Sequence, residues 1–485
     1  MLWFLGGIAF LVLGYFTYGK FVERIIGPDN RPTPAMTMPD GVDYVPLPKW
    51  KNLLIQLLNI AGIGPVIGVI LGIKFGKIAL LIIPVGCVLM GAVHDFFAGM
   101  ISMRMKGANM PKIVRQHLGK WYSYIFSWML MICLLLCVTV FINVPANLIN
   151  NKQWFPQANL FWWAVALIFV YYIIATLFPV DKIIGKIYPI FGALLLLGSV
   201  AIMIALIIAG FKEPSILNDC AGFASYQKKN PLFPCLFVTI ACGIISGFHA
   251  TQSPIVARTC KSEREARLTF YGMMIAEGVI AMIWAASALA IYNIMPENLK
   301  LKGPEVLANI ATHFLGSWMG GVTIIAIVIL AITSGDTAMR SARLSLGETC
   351  HIDQVNIVKR VMTCVPIILV IVGLLWWSNV NAKSFGYLWN YFAWGNQLIS
   401  VTMLMSATVW LVRSKRNKLC ALVTLLPGVF MCMVVATFIL WASPKKGQVW
   451  GCALSYNLSL CISAVITVLF VLFVIKRGLG KGDEE

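Results

Sequence analysis

Apolar stretches of roughly twenty residues, separated by short charged or Pro/Gly-rich breaks, recur along almost the whole chain. About 18 consecutive apolar residues suffice for a helix to cross the hydrocarbon core, where every backbone polar group must be paired within the segment. Read between the breaks, the pattern predicts thirteen membrane spans, near 2–18, 53–73, 78–103, 121–143, 160–178, 183–210, 233–256, 268–293, 316–338, 357–377, 386–411, 418–442 and 453–476. The apolar runs are continuous rather than alternating, which excludes a β-barrel. The predicted fold class is an all-α polytopic membrane protein.

Composition agrees with the pattern. Of 485 residues, 59% are hydrophobic and 12% charged, against roughly 45–50% and 25% in soluble domains. A net charge of +19 would suit an acidic partner in a soluble chain. Here the basic residues sit singly in short loops with no basic stripe, so no nucleic-acid partner is expected. More than two thirds of the 38 Lys and Arg fall after spans 1, 3, 5, 7, 9 and 11 or in the C-terminal segment. The positive-inside rule then puts the C-terminus in the cytoplasm and the N-terminus outside, in the cell (inner or plasma) membrane. The first apolar segment carries its charges after the run, not before it, and is read as a retained span. Most cysteines lie in apolar runs, and no CxxC occurs, which argues against metal or redox chemistry. Cys220 and Cys452 fall in or beside the predicted outer loops, where a bridge between them is an open alternative.

Two spans carry breaks. Span 2 contains Gly62, Gly64, Pro65 and Gly68, predicting an interruption near Ile63 to Pro65. Span 7 ends "ISGFHATQSPIVAR", where Gly243 and Gly247 precede a Ser253-Pro254 pair that reads as an N-cap and a first-turn proline. The two lie five spans apart, an odd step, so units 2–6 and 7–11 enter the membrane from opposite faces. This resembles the 5+5 inverted repeat of leucine-transporter-type secondary transporters, with a broken first helix in each half. The expected organisation is an added helix (1–26), a cytoplasmic loop (27–52), a first repeat (53–210), an extracellular loop (211–232), a second repeat (233–411), two added helices (412–476) and a cytoplasmic tail (477–485). The expected substrate site comprises Gly62, Gly64, Pro65, Val66, Ser246, Gly247, Phe248, His249, Thr251, Gln252 and Ser253. Half-helix N-termini suit a carboxylate, and opened carbonyls suit Na⁺. Gln56, a turn before the first break, is expected to matter less than Gln252 or Pro65.

That likeness also implies a cation site in which Thr333 and Ser334 face backbone carbonyls around Ile60 and Ile63. Asp336 is an alternative carrier of a coupling proton. Against this, Thr333 and Ser334 are free to bond back to their own helix. Ionisable groups inside spans are costly and functional by default, which adds His94, Asp95 and Glu277 as proton-carrier candidates. Adjacent helical residues point about 100° apart, so His94 and Asp95 need not act together. Asp95 has Arg104 as an alternative partner, and His249 a carbonyl freed by the break. The stretch from Arg258 to Gly272 reads as a solvated loop, with a gating or substrate-attracting role for Arg258 as the alternative. The basic loop from Arg104 to Lys120 suits an interface with anionic lipid.

The motifs "NIAGIGPVIGVILG", "GAVHDFFAGMISMRMKG", "ISGFHATQSPIVAR" and "AITSGDTAMRSARL" together resemble the carbon starvation protein A family. The resemblance implies uptake of peptides or pyruvate with H⁺ or Na⁺, no organic cofactor, and a leucine-transporter-type fold. It also implies a longer chain than this one. A peptide's ammonium group favours an acidic partner such as Asp95 or Asp336, whereas a monocarboxylate needs none. A channel would need a continuous polar pore, which paired broken helices oppose. A sensor would need an output domain, and no loop exceeds about 35 residues. No nucleophile–base constellation suggests an enzyme.

Overall fold

The computed structural model describes residues 1–41, 43–150, 159–177, 180–220, 222–350, 352, 357–414, 417–446 and 448–480. They form sixteen principal helices: α1 (Leu2–Ile26), α2 (Lys49–Ile60), α3 (Ile63–Gly72), α4 (Ala79–Arg104), α5 (Met110–Leu118), α6 (Lys120–Ile149), α7 (Phe161–Leu177), α8 (Val180–Lys212), α9 (Leu232–Ile240), α10 (Gly247–Ala257), α11 (Glu263–Ile294), α12 (Gly303–Thr349), α13 (Ile357–Ser378), α14 (Ala382–Arg413), α15 (Lys418–Trp441) and α16 (Tyr456–Leu479). Among the described residues, eleven segments are long and apolar enough to cross a membrane, with α9 and α10 together counted as one. The bent pair α2–α3 makes a twelfth, and α7 is apolar but shorter. The protein is an all-helical polytopic membrane protein. Its most enclosed helix is α11, while α1, α13 and α16 turn most of their apolar surface outward.

Both predicted breaks exist, slightly upstream of where the glycines and prolines suggested. The first lies at Ala61-Gly62, where ψ values of 38° and −149° leave the helical region and the axis bends by 42°. Pro65 falls in the first turn of α3, where its missing N–H costs nothing because first-turn donors have no intrahelical partner. The second runs from a 3₁₀ turn, Ala241–Gly243, to an extended Ser246 (φ −135°, ψ 127°). Ser253-Pro254 is therefore not a helix start, and Pro254 lies inside α10. Gly64 brings the two breaks together: a Cβ there would stand 2.8 Å from the Cβ of Cys242, too close for any other residue.

Two further expectations are corrected, and one open alternative is decided. The helix predicted to end near 338 continues to Thr349, so Arg340 and Arg343 are helical and buried rather than in a loop. Cys220 and Cys452 are free; the Cys220 thiol reaches the Tyr292 carbonyl at 3.5 Å, while Cys452 is exposed. The stretch after Arg258 is only partly solvated, because the segment between α1 and α2 straps across it and leaves Lys261 and Arg264 exposed. Thr33 Oγ1 donates to Cys260 O at 2.6 Å, the Leu47 N–H donates to Thr259 O at 3.1 Å, and Pro32 forms a β-bridge with Ser262. Under this strap Arg258 is buried, donating to Gly107 O (2.9 Å) and Asn109 Oδ1 (2.8 Å) beneath the ring of Tyr44.

Candidate functional site

The turn of α4 from Cys87 to Gly91 is π-helical, and a Cβ at Gly91 would collide with the carbonyl of Ile244 in the second break. The wide turn and the absent side chain let α4 lie directly on the opened backbone. One turn further along, Asp95 then meets His249 of α10. The Nδ1 of His249 lies 3.0 Å from Asp95 Oδ2, and the Nδ1 of His94 lies 2.8 Å from Asp95 Oδ1. On its other side, His249 Nε2 stands 3.6 Å from Oε2 of Glu277 on α11. Three helices thus converge two imidazoles and two carboxylates, all four side chains buried.

Several single-residue expectations change here. His94 and Asp95 are in contact, because Asp95 offers one oxygen to each histidine. Arg104 pairs not with Asp95 but with buried Glu263, at 3.1 Å and 2.9 Å. His249 bonds a carboxylate rather than a freed carbonyl. Among the described residues, no group of His, Cys, Asp and Glu is arranged to hold a metal ion.

The second break is held by a residue the sequence did not single out. Asn396 on α14 accepts the Phe248 N–H at 2.7 Å and donates to Ser246 Oγ at 2.8 Å and to Cys242 Sγ at 3.4 Å. It therefore serves as the N-cap that Ser246 does not supply itself. Gly247 permits the contact, since a side chain there would strike the Asn396 carbonyl.

The predicted cation residues divide. Ser334 Oγ donates to Asn59 O at 3.4 Å beside Gly62, and Thr337 Oγ1 donates to Asn59 Oδ1 at 3.2 Å. Thr333 instead bonds Leu330 O on its own helix at 2.9 Å and borders an apolar cavity with Trp163 and Phe191. Asp336 is buried with Arg340 one turn on. Of the predicted substrate residues, Gly62, Gly64, Pro65, Val66 and Ser246 to Ser253 are all buried around the two breaks, as are the backbone positions Ile60 and Ile63. Thr251 Oγ1 donates back to Phe248 O at 2.7 Å, whereas Gln252 and Ser253 have no protein partner for their side-chain polar atoms. Gln56, expected to matter less than Gln252 or Pro65, is also fully buried with an unpartnered amide.

Comparison with known proteins places this architecture. An uncharacterized membrane protein of Haemophilus influenzae is 43% identical over 340 residues, covering 60% of this chain and 91% of that protein. The peptide transporter CstA of Campylobacter jejuni is 27% identical over 401 residues, 69% of this chain and 56% of that one. The pyruvate/proton symporter BtsT of Escherichia coli is 25% identical over 345 residues, 58% of this chain and 48% of that one. The chain thus spans about half the length of these two named transporters. In overall fold it matches a manganese transporter of Eremococcus coleocola, at a TM-score of 0.56 and 14% identity, over 91% of this chain and 98% of that one. The family described as carbon starvation protein CstA matches residues 1–175, 152–312 and 304–438, so the chain belongs to the carbon starvation protein CstA family.

Proposed function

We propose that the protein is a secondary active transporter that imports a small carboxylate-bearing nutrient, a short peptide or a pyruvate-like monocarboxylate, by H⁺ symport with alternating access. The observation that carries this reading is His249 standing between Asp95 and Glu277 at the start of α10. With both carboxylates ionised and one imidazole protonated, the cluster bears one net negative charge. One further proton makes it neutral. An uncompensated charge is costly in a low-dielectric interior, so the charged cluster favours states open to water, and the neutral cluster tolerates occlusion. Because α10 begins at the break expected to hold substrate, protonation and substrate occupancy act on the same half-helix.

The names of the relatives, peptide transporters and a pyruvate/proton symporter, support this reading. So does the pair of broken helices, which in this reading lead the two halves of a 5+5 inverted repeat, with the Lys/Arg-rich face and the C-terminus cytoplasmic. Na⁺ coupling is the second reading, favoured by Ser334 beside the Asn59 carbonyl. Uptake of labelled pyruvate and of di- and tripeptides into proteoliposomes, with pH and Na⁺ gradients imposed separately, separates the two. Accumulation driven by the pH gradient alone is expected. Accumulation that needs Na⁺ moves the coupling to Ser334, and no gradient-driven uptake of any of these solutes overturns the transporter reading.

A further inference from the structure

Gln56 on α2 and Gln252 on α10 stand one on each broken helix, and both side chains are fully buried. None of their amide nitrogens or oxygens has a hydrogen-bond partner in the protein. Buried amides without partners are expensive and uncommon, so two on adjoining helices point to a ligand.

The two helices run antiparallel along one seam, and a reciprocal pair fixes its outer end. Asn52 Nδ2 donates to Thr259 O at 3.2 Å, and Thr259 Oγ1 donates to Asn52 Oδ1 at 2.8 Å. At about 100° per residue, Asn52, Gln56 and Asn59 fall within an arc of about 60° on α2, while Thr259 lies in the turn just beyond the end of α10 at Ala257. The stripe of α2 that meets Thr259 therefore carries Gln56, and Gln252 lies on the adjoining α10. At about 1.5 Å per residue, Gln56 lies about 6 Å inward of Asn52, and Gln252 about 8 Å inward of the end of α10, an offset that two glutamine side chains span.

We propose that Gln56 and Gln252 extend the expected solute site from the helix breaks toward the Asn52–Thr259 end of the seam, where they hold a carboxylate or amide group of the transported solute. Each carboxamide offers two N–H hydrogens and an acceptor oxygen without charge. A planar carboxylate accepts an N–H from each side, and a peptide group also returns its own N–H to an Oε1. Ser253, buried and without a side-chain partner beside Gln252, adds a hydroxyl. The absence of a formal charge on these three side chains keeps the hold weak, which suits a position the solute must leave.

This inference rests on the transporter reading for its solute, so its test uses equilibrium binding as well as uptake. Purified full-length protein is titrated with labelled pyruvate and, separately, dialanine, as wild type, Gln56→Met, Gln252→Met and the double variant. Methionine keeps volume and apolar packing but removes the hydrogen bonds. Each single variant is expected to weaken binding about tenfold, the worth of one good hydrogen bond. The solute-free protein is expected to keep or raise its melting temperature, because an unpaired buried amide has gone. A purely structural role for the glutamines predicts the reverse: lower melting temperature and unchanged affinity. Weakening for dialanine alone assigns the position to a peptide group, and weakening for both assigns it to the carboxylate. Unchanged affinity in both single variants, or no binding of either solute to wild type, overturns the proposal. Binding without accumulation in proteoliposomes overturns the transporter reading and leaves this site standing.

Discussion

His249 touches Asp95 with one ring nitrogen, at 3.0 Å, and faces Glu277 with the other, at 3.6 Å. An imidazole so placed has a carboxylate on each side, so a proton arriving from one acid has a donor–acceptor route to the other. Replacing His249 with Gln keeps hydrogen-bonding capacity but removes titration. His249→Gln is expected to abolish pH-gradient-driven accumulation while preserving solute exchange between the two sides of a vesicle. Accumulation at the wild-type rate would show that the imidazole is not in the proton route.

Glu277 has no hydrogen bond of its own, and its only ionic neighbour at ion-pair distance among the described residues is His249. Glu277→Gln mimics its protonated form. Uptake by this variant should lose most of its dependence on external pH, measured as initial rate against pH. A profile parallel to wild type would remove Glu277 from the coupling.

Asn396 tests whether the break is held open by one side chain. Asn396→Ala removes a cap and two further hydrogen bonds at a buried position. A loss of about 1–3 kcal/mol of stability is expected, read as a lower melting temperature of detergent-purified protein. Asn396→Asp, which keeps the acceptor, should restore part of it. An unchanged melting temperature in Asn396→Ala would mean the break needs no cap.

Arg104 grips Glu263 with two nitrogens and also donates to the carbonyls of Ile26 and Gly27. Glu263→Gln leaves that guanidinium short of an anion, and breaking a buried pair from one side costs about 3–5 kcal/mol. The strap between α1 and α2 should then lift from Cys260, which it covers. Faster maleimide labelling of Cys260, followed by mass spectrometry, is the expected result; equal labelling in wild type and variant would show that the strap is held by other contacts.

His117, on the short helix α5 outside the spans, is buried, and burial pushes its pKa down to about 4. Its exposed counterpart titrates near 6.5. The undocked state therefore binds more protons between these values, so the stabilisation is full above pH 6.5 and is lost as pH falls toward 4. The loss should reach about 2 kcal/mol at pH 5. Melting temperatures at pH 7.5 and 5 should differ more for wild type than for His117→Leu; identical pH dependence would place the titration elsewhere.

The spans were legible because lipid admits only long apolar helices, and the breaks because glycine and proline interrupt them in the middle of such runs. The pairing of Asp95 with His249 was not, since the two lie 154 residues apart and meet only through the relative rotation of α4 and α10. Asn396, next to Gln397, and Gln56 are polar residues inside apolar runs, and composition does not reveal which way such a residue faces. Glu263 sits in a run of charges that reads as solvated. It is buried only because the strap, itself polar and unremarkable in pattern, folds over it.

The central claim is that this cluster carries the coupling proton. Proton flux on addition of solute, followed with a trapped pH dye in proteoliposomes held at constant Na⁺, tests it most directly. Wild type is expected to move protons inward together with pyruvate or dialanine, and Asp95→Asn to move none while still exchanging solute. Solute-driven proton flux that persists undiminished in Asp95→Asn would contradict the account.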